Sequence, residues 1–264
     1  MPIKFLSRPT IFFFAILSIL ALFLPLNFII LEPGPTSNLL SAKLTILGQK
    51  LNTFDRGALY STTVFVTSPG ERPNGLNVLS AWIDGDRAVL PTAALYKKGE
   101  RPQDATDREV KAMAISKVNA GLAAKKFLNE NSQYPIPTWH GADVQIDMKK
   151  VGGSSAGLAF ALAIIAKSAD ADLIKGRKIA VTGTISGSGA VGAIGGVDQK
   201  ILGAKKSGAE IFIAPRVNCP EISKHPKGIS ILVVRNLAEA VRALKNPLHL
   251  PQPEIERVFA CPRK

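Results

Sequence analysis

The sequence predicts an α/β protein with a mixed sheet, set behind an apolar N-terminal segment. Three observations predict it. Short runs rich in β-branched residues, such as Tyr60-Ser61-Thr62-Thr63-Val64, alternate with longer runs of helical periodicity. Glycine clusters punctuate the junctions, with Gly152-Gly153 and Gly195-Gly196 each opening a helical pattern. A single apolar stretch, residues 11–31, stands apart from the more polar chain after it. The 264 residues fit one domain plus appendages, and a 46% hydrophobic composition suffices for its core.

Lys4 and Arg8, within residues 1–10, precede the apolar stretch, which only Ser18, Pro25 and Asn27 interrupt. Its 21 residues are enough to cross a bilayer as a helix. A cleaved signal has a shorter apolar core with small residues directly after it, whereas Glu32-Pro33-Gly34-Pro35 comes next here, so residues 11–31 read as an uncleaved transmembrane anchor. Positive charge before the span leaves the N-terminus in the cytoplasm and puts the rest outside, as a single-pass protein of the cell membrane.

Residues 32–42 read as a Pro/Gly linker, and the part from 43 to 130 opens with strands over 43–47 and 58–67. Leu76, Leu79 and Ile83 mark a short helix ended by the turn Asp84-Gly85-Asp86, which lacks the later ligands of a calcium loop. The longest helix is expected over 106–130, with Val110, Met113, Lys117, Gly121, Leu122 and Leu128 near one face and Asn119 without a role. Residues 131–150 form a short extended connection that ends in a strand over 143–148.

From 151 to 245 the pattern is an apolar helix after Gly157, a strand over 178–182 and a hairpin over 185–191 around Ser186-Gly187-Ser188-Gly189. A helix opening at Gly195-Gly196 comes next, then strands over 210–214 and 229–234, a short helix near 220–224 and a helix over 237–244. The tail, 246–264, is Pro-rich.

The chemistry is concentrated between residues 152 and 200. Ser155 falls at the first turn of the apolar helix, where unpaired N–H groups and the helix dipole favour an oxyanion. Lys200 lies in an otherwise apolar helical turn, and a buried lysine loses its proton near neutral pH. A serine needs a base to take its proton, and a desolvated lysine supplies one without histidine. The three histidines, His140, His225 and His249, all sit in loop-like sequence and read as solvated. Spacing alone leaves both a dyad and a merely solvated lysine open.

Other signals exclude functions. Gly187-Ser188-Gly189-Ala190-Val191-Gly192 matches the dinucleotide fingerprint, but no helix starts within its glycines and no acidic residue closes the next strand. No Walker A sequence occurs, and no cofactor or metal set is expected. The net charge of +13 is scattered without a nucleic-acid-binding signature. Outside the membrane, Cys219 and Cys261 would pair as a disulfide that ties down the tail, two free thiols being the alternative.

Three blocks, Gly153-Ser154-Ser155-Ala156-Gly157, Thr182-Gly183-Thr184-Ile185 and Val191-Gly192-Ala193-Ile194-Gly195-Gly196-Val197-Asp198-Gln199-Lys200, resemble the proteolytic domain of Lon proteases in order and spacing. The resemblance implies the Lon proteolytic-domain fold, with Ser155 as nucleophile, Lys200 as general base, Thr182 bonded to the lysine, and Gly153, Ser154 and Ala156 shaping the loop. It also implies a homo-oligomer, a hexameric ring. Many Lon domains carry an acidic residue where this chain has Gly152.

Asp198-Gln199-Lys200, the run from Lys175 to Ala180 and Tyr60-Ser61-Thr62-Thr63-Val64 are similar to the membrane-anchored, PDZ-containing Lon-like proteases of Gram-positive bacteria. That similarity runs, with a gap, from the first strand to Leu244, and residues 131–150 are too short for the PDZ domain. The expectation is an ATP-independent serine endopeptidase acting on unfolded exported or membrane-associated proteins. The alternative is an inactive membrane-tethered scaffold with the same fold.

Overall fold

The computed structural model describes residues 7–41, 44–46, 51, 57–131, 134, 144–146, 152–168, 172–245 and 259–261. In chain order the elements are α1 (Arg8–Phe23), β1 (Phe28–Asn38), β2 (Leu44–Ile46), β3 (Ala58–Val66), α2 (Gly75–Asp84), β4 (Ala88–Pro91), α3 (Pro102–Asn129), β5 (Val144–Ile146), α4 (Gly157–Ser168), β6 (Lys178–Val181), β7 (Thr184–Ile185), β8 (Val191–Gly192), α5 (Val197–Lys206), β9 (Ile211–Pro215), β10 (Ser230–Val234) and α6 (Leu237–Lys245). Short 3-10 helices cover Thr92–Ala94 and Arg216–Glu221. The chain forms two compact units, Met1–Glu32 with Phe65–Pro102, and Pro33–Val64 with Gln103–Lys264.

The larger unit is built on strands in the order β10-β9-β6-β3-β1, parallel from β10 to β3. Strand alternation sorts the side chains between two layers. Leu59, Ile179, Val181, Ile211, Ile213 and Val234 join the cluster that holds α3, α4 and α6, while Ala180, Phe212, Ala214 and Val233 join the cluster under α5. Residues 158–165 of α4 are all 0% exposed, which is why that helix is apolar on every side. Thr184 to Ile185 pairs antiparallel with Val191 to Gly192, so the glycine-rich fingerprint is a hairpin turn, and the next helix begins only at Val197. Leu44–Ile46 pairs with Val144–Ile146, matching the strands expected at those places.

Several sequence expectations are corrected. Pro33-Gly34-Pro35, expected as a linker, lies within strand β1. Its small residues fit a crowded place: a Cβ on Gly34 would meet Thr63 Oγ1 at 2.6 Å, and one on Gly203 of α5 would meet the Gly34 carbonyl at 2.7 Å. Proline lacks an N–H but not an acceptor, and Thr63 donates to the Pro35 oxygen at 2.7 Å. Helix α3 starts at Pro102 instead of 106, as proline tolerates a first turn. Of its expected face, Met113, Gly121 and Leu128 are buried while Val110 and Leu122 are exposed; Ser116, Ala120, Ala123 and Ala124 complete the buried side, small residues that allow the close approach. The short helix expected near 220–224 is the 3-10 turn Arg216–Glu221, and β4 was not foreseen. Most of 131–150, including His140, lies outside the described residues, as do His249 and most of the tail.

In the smaller unit, α1 covers 16 residues and none of them is buried. It stops at Phe23 because Leu24 precedes a proline and takes an extended conformation (φ −69°, ψ 136°). Leu26 then donates to the Pro73 carbonyl, and Phe28 to Leu31 pair antiparallel with Ala88 to Pro91. The single helical span over 11–31 is thereby corrected. Among the described residues, no helix is long and apolar enough to cross a membrane. Helix α2 matches its expectation, with Asn74 Oδ1 capping the Asn77 N–H at 2.9 Å, and Asp84 accepts from Arg87 at 2.7 Å in the adjoining turn.

Cys219 and Cys261 are bonded, their Cα atoms 5.5 Å apart, beside the fully buried Phe259. We expect no reactive thiol in the non-reduced, denatured protein. Cys219→Ser should lower stability by about 2–4 kcal/mol in urea unfolding, because the open chain regains loop entropy.

Candidate active site

The site forms where two helices from opposite faces of the sheet meet beyond the end of β6. From one face comes the loop Gly152-Gly153-Ser154-Ser155-Ala156 ahead of α4; from the other comes α5 with Lys200. Lys200 Nζ donates to Ser155 Oγ at 2.9 Å. The helix begins at Gly157, so Ser155 precedes the first turn instead of lying in it.

The loop is pinned from below. Gly183 N–H donates to the Ser155 carbonyl at 2.8 Å, and Ser116 Oγ of α3 donates to the Ser154 carbonyl at 3.0 Å. Gly153 has φ +86°, a left-handed conformation that glycine alone adopts without strain, and its N–H donates to the Glu109 carbonyl at 3.0 Å. The N–H groups of Ser154, Ser155 and Ala156 have no hydrogen-bond partner among the described residues. Ser155 itself is half-buried and reachable from solvent.

Lys200 is only 3% exposed, packed in the layer of Val197, Ile201 and Ala180. Burial removes the water that would stabilise the ammonium and pushes its pKa down to about 8. Helix α5 is fixed at its start by Gly196 in a left-handed conformation (φ 65°) and by the Asp198 carboxylate. That carboxylate accepts from the Ser223 N–H at 2.9 Å, from the Lys224 N–H at 3.0 Å and from Ser223 Oγ.

Ser155 and Lys200, read from the sequence as a pair, are thus brought together. Gly153 and Ser154 hold the loop's anchoring bonds, and Ala156 is buried beneath it. Thr182 differs from expectation. It is fully buried, and its Oγ1 donates to the Ser155 carbonyl at 3.3 Å in place of the expected bond to the lysine. His225 is exposed, as read.

Sequence reading missed three residues. Asn218, 0% exposed, accepts from the Ile194 N–H at 3.0 Å and donates to the Ile194 carbonyl at 2.8 Å, clamping the chain that leads into α5. Ser116 and Glu109 reach the serine loop from α3. A polar residue flanked by Pro215 and Pro220 was the one signal that could have pointed to Asn218; Ser116 and Glu109 share a helix face with Met113, a pattern hidden among small residues.

Fold and contact together define an α/β protein with a serine–lysine pair at the end of a central parallel strand. The chain belongs to the Lon protease (S16) C-terminal proteolytic domain family, whose model matches residues 105–246, more than half of the sequence. It is 31% identical over 178 residues to the archaeal Lon protease of Halobacterium salinarum, covering 64% of this chain and 24% of that protein. The archaeal Lon protease of Methanocaldococcus jannaschii is 41% identical over 140 residues (49% and 21%), and Lon protease 2 of Bacillus subtilis 41% over 139 (52% and 24%). The chain spans about a quarter of the length of these relatives.

Two outcomes are expected. Between pH 8 and 10.5 the unfolded chain keeps a lysine proton that the folded chain has released, so folding stability contributed by this site rises with pH across that window. Lys200→Met should therefore raise stability at pH 7 by about 1–3 kcal/mol and remove that part of the pH slope in thermal unfolding followed from pH 7 to 10. Asn218→Ala strands the buried Ile194 N–H and carbonyl and should cost about 2–4 kcal/mol in urea unfolding.

Proposed function

We propose that the protein is a serine endopeptidase working through a Ser155–Lys200 dyad. The observation that carries this reading is the 2.9 Å contact between the desolvated Lys200 amine and Ser155 Oγ. With its pKa lowered to about 8, the amine has an appreciable neutral fraction near neutral pH, and its lone pair takes the hydroxyl proton as Oγ attacks the scissile carbonyl carbon. The carbonyl oxygen becomes an oxyanion facing the unpaired N–H groups of the serine loop. Collapse breaks the C–N bond, Lys200 returns the proton to the departing amine, and an acyl-enzyme on Ser155 remains. A water molecule, deprotonated in turn by Lys200, hydrolyses the ester and restores the hydroxyl.

Peptide hydrolysis at Ser155 needs no ATP for its chemistry, and cleavage is proposed to proceed without it, on polypeptides that are already unfolded. A homo-oligomeric ring is proposed from the resemblance to Lon domains, and the short 131–150 connection supports a version without a PDZ domain. Membrane association is supported by α1, whose Phe12, Phe13, Phe14, Leu20 and Phe23 are all more than half exposed on an unburied helix. An apolar helix with no buried face suits a lipid surface, and Arg8 at its first position suits contact with anionic head groups. The inactive-scaffold alternative retains the fold but predicts no cleavage.

Cleavage of an unfolded protein by the full chain, followed from pH 6 to 10, tests the reading. The rate should rise with pH through about 8, the value for Lys200, and level off above it. Ser155→Ala and Lys200→Ala should each lose at least about a thousandfold in rate. Wild-type protein no more active than these variants would leave the scaffold in its place.

A further inference from the structure

Helix α3 reaches the serine loop at two points two turns apart on one face. Ser116 meets it in the buried interior; Glu109, seven residues earlier, meets it at the solvent edge. A Cβ on Gly152 would lie 3.0 Å from the Glu109 Cβ, and one on Gly153 would lie 3.1 Å from Glu109 Oε2. Glu109 thus occupies the space that a side chain at 152 would need, and both loop glycines match that occupation. The loop owns no carboxylate, yet one lies against it.

Gly153 and Ser155 are two Cα steps apart, a span of at most about 7 Å. A bound polypeptide advances roughly 3.3 Å per residue, so the Glu109 carboxylate lies within reach of a substrate side chain one or two residues from a bond cleaved at Ser155. The side chain is 41% exposed and accessible from solvent. Its other oxygen, Oε1, is 3.4 Å from Arg108 Nη1 in a surface pair. Such pairs contribute little and exchange readily, so the pair leaves the carboxylate able to accept from a second cation. The protein carries 33 Lys and Arg against 20 Asp and Glu, so a carboxylate at this place is an exception within a basic molecule.

We infer that Glu109 is a specificity-determining residue, selecting polypeptides that carry a lysine or arginine side chain within two residues of the cleaved bond. The inference rests on the peptidase reading and adds a substrate class to it.

The test uses the full chain and quenched fluorescent peptides of one sequence, with Lys, Ala or Glu substituted in turn at the two positions on each side of a single scissile bond. At low ionic strength the wild type should favour Lys over Ala at one or more positions by roughly fivefold in kcat/KM, and disfavour Glu. Glu109→Gln should bring the Lys-to-Ala ratio to about one, and Glu109→Lys should invert it in favour of Glu. A role in holding the loop alone would lower all peptides together and leave the ratio untouched, which would overturn the inference. Cleavage by the wild type without any charge preference would overturn it too, while leaving the peptidase reading intact. Absence of cleavage of every peptide, matching Ser155→Ala, would remove both.

Discussion

Keeping one amine dry is the constraint on which the rest of the site depends. Lys200 is enclosed by the apolar layer under α5, and its hydrogen bond runs to the hydroxyl it would deprotonate. A buried ammonium is costly, so the neutral form gains, and the burial that destabilises the fold also prepares the base. That cost is tolerated because α5 is over-determined at its start. The left-handed Gly196 sets its entry, the Asp198 carboxylate binds the chain at 223–224, and Asn218 holds Ile194 from both its N–H and its carbonyl. The bonded Cys219, next to Asn218, adds a covalent tie to the same segment.

The serine side of the pair is held by different means. Its platform, α4, is enclosed by protein on all sides, so the loop ahead of it cannot shift without moving the core. A Cβ on Gly157 would lie 2.7 Å from Ser116 Oγ and 2.9 Å from Ile185 Cγ2, which leaves hydrogen as the one substituent that fits. Close approach also brings Ser116 and Thr182 to the carbonyls of the two peptide bonds that flank Ser155. Those two hydroxyls hold the carbonyls, and the N–H groups of Ser154, Ser155 and Ala156 are left without a partner among the described residues.

The smaller unit shows a different balance. Its helices α1 and α2 leave Phe12, Phe23, Trp82 and Ile83 more than half exposed, while the bridge of Pro25 to Asn74 and the Leu26 to Pro73 hydrogen bond give a defined path out of α1. Proline punctuation ended the helix where hydropathy alone would have continued it. The apolar residues after Pro25 are not spare hydrophobicity: Ile29, Ile30 and Leu31 are buried in a strand.

Periodicity and glycine punctuation in the sequence by themselves determined the alternation of strands and helices, the start of α5 after Gly195-Gly196 and the hairpin at 186–189; the pairing of Ser155 with Lys200 came from the resemblance of three short blocks to Lon domains, since spacing alone left it open. Each of these depends on local backbone preference or on a short fixed pattern. The strand identity of Pro33-Gly34-Pro35, the true stripe of α3, the partner of Thr182 and the arrival of Glu109, Ser116 and Asn218 were decided only by tertiary structure. The reason is physical. Those features arise from contacts between segments tens of residues apart, where the close fit of a glycine against a carbonyl or the need to satisfy a buried N–H outweighs any local propensity.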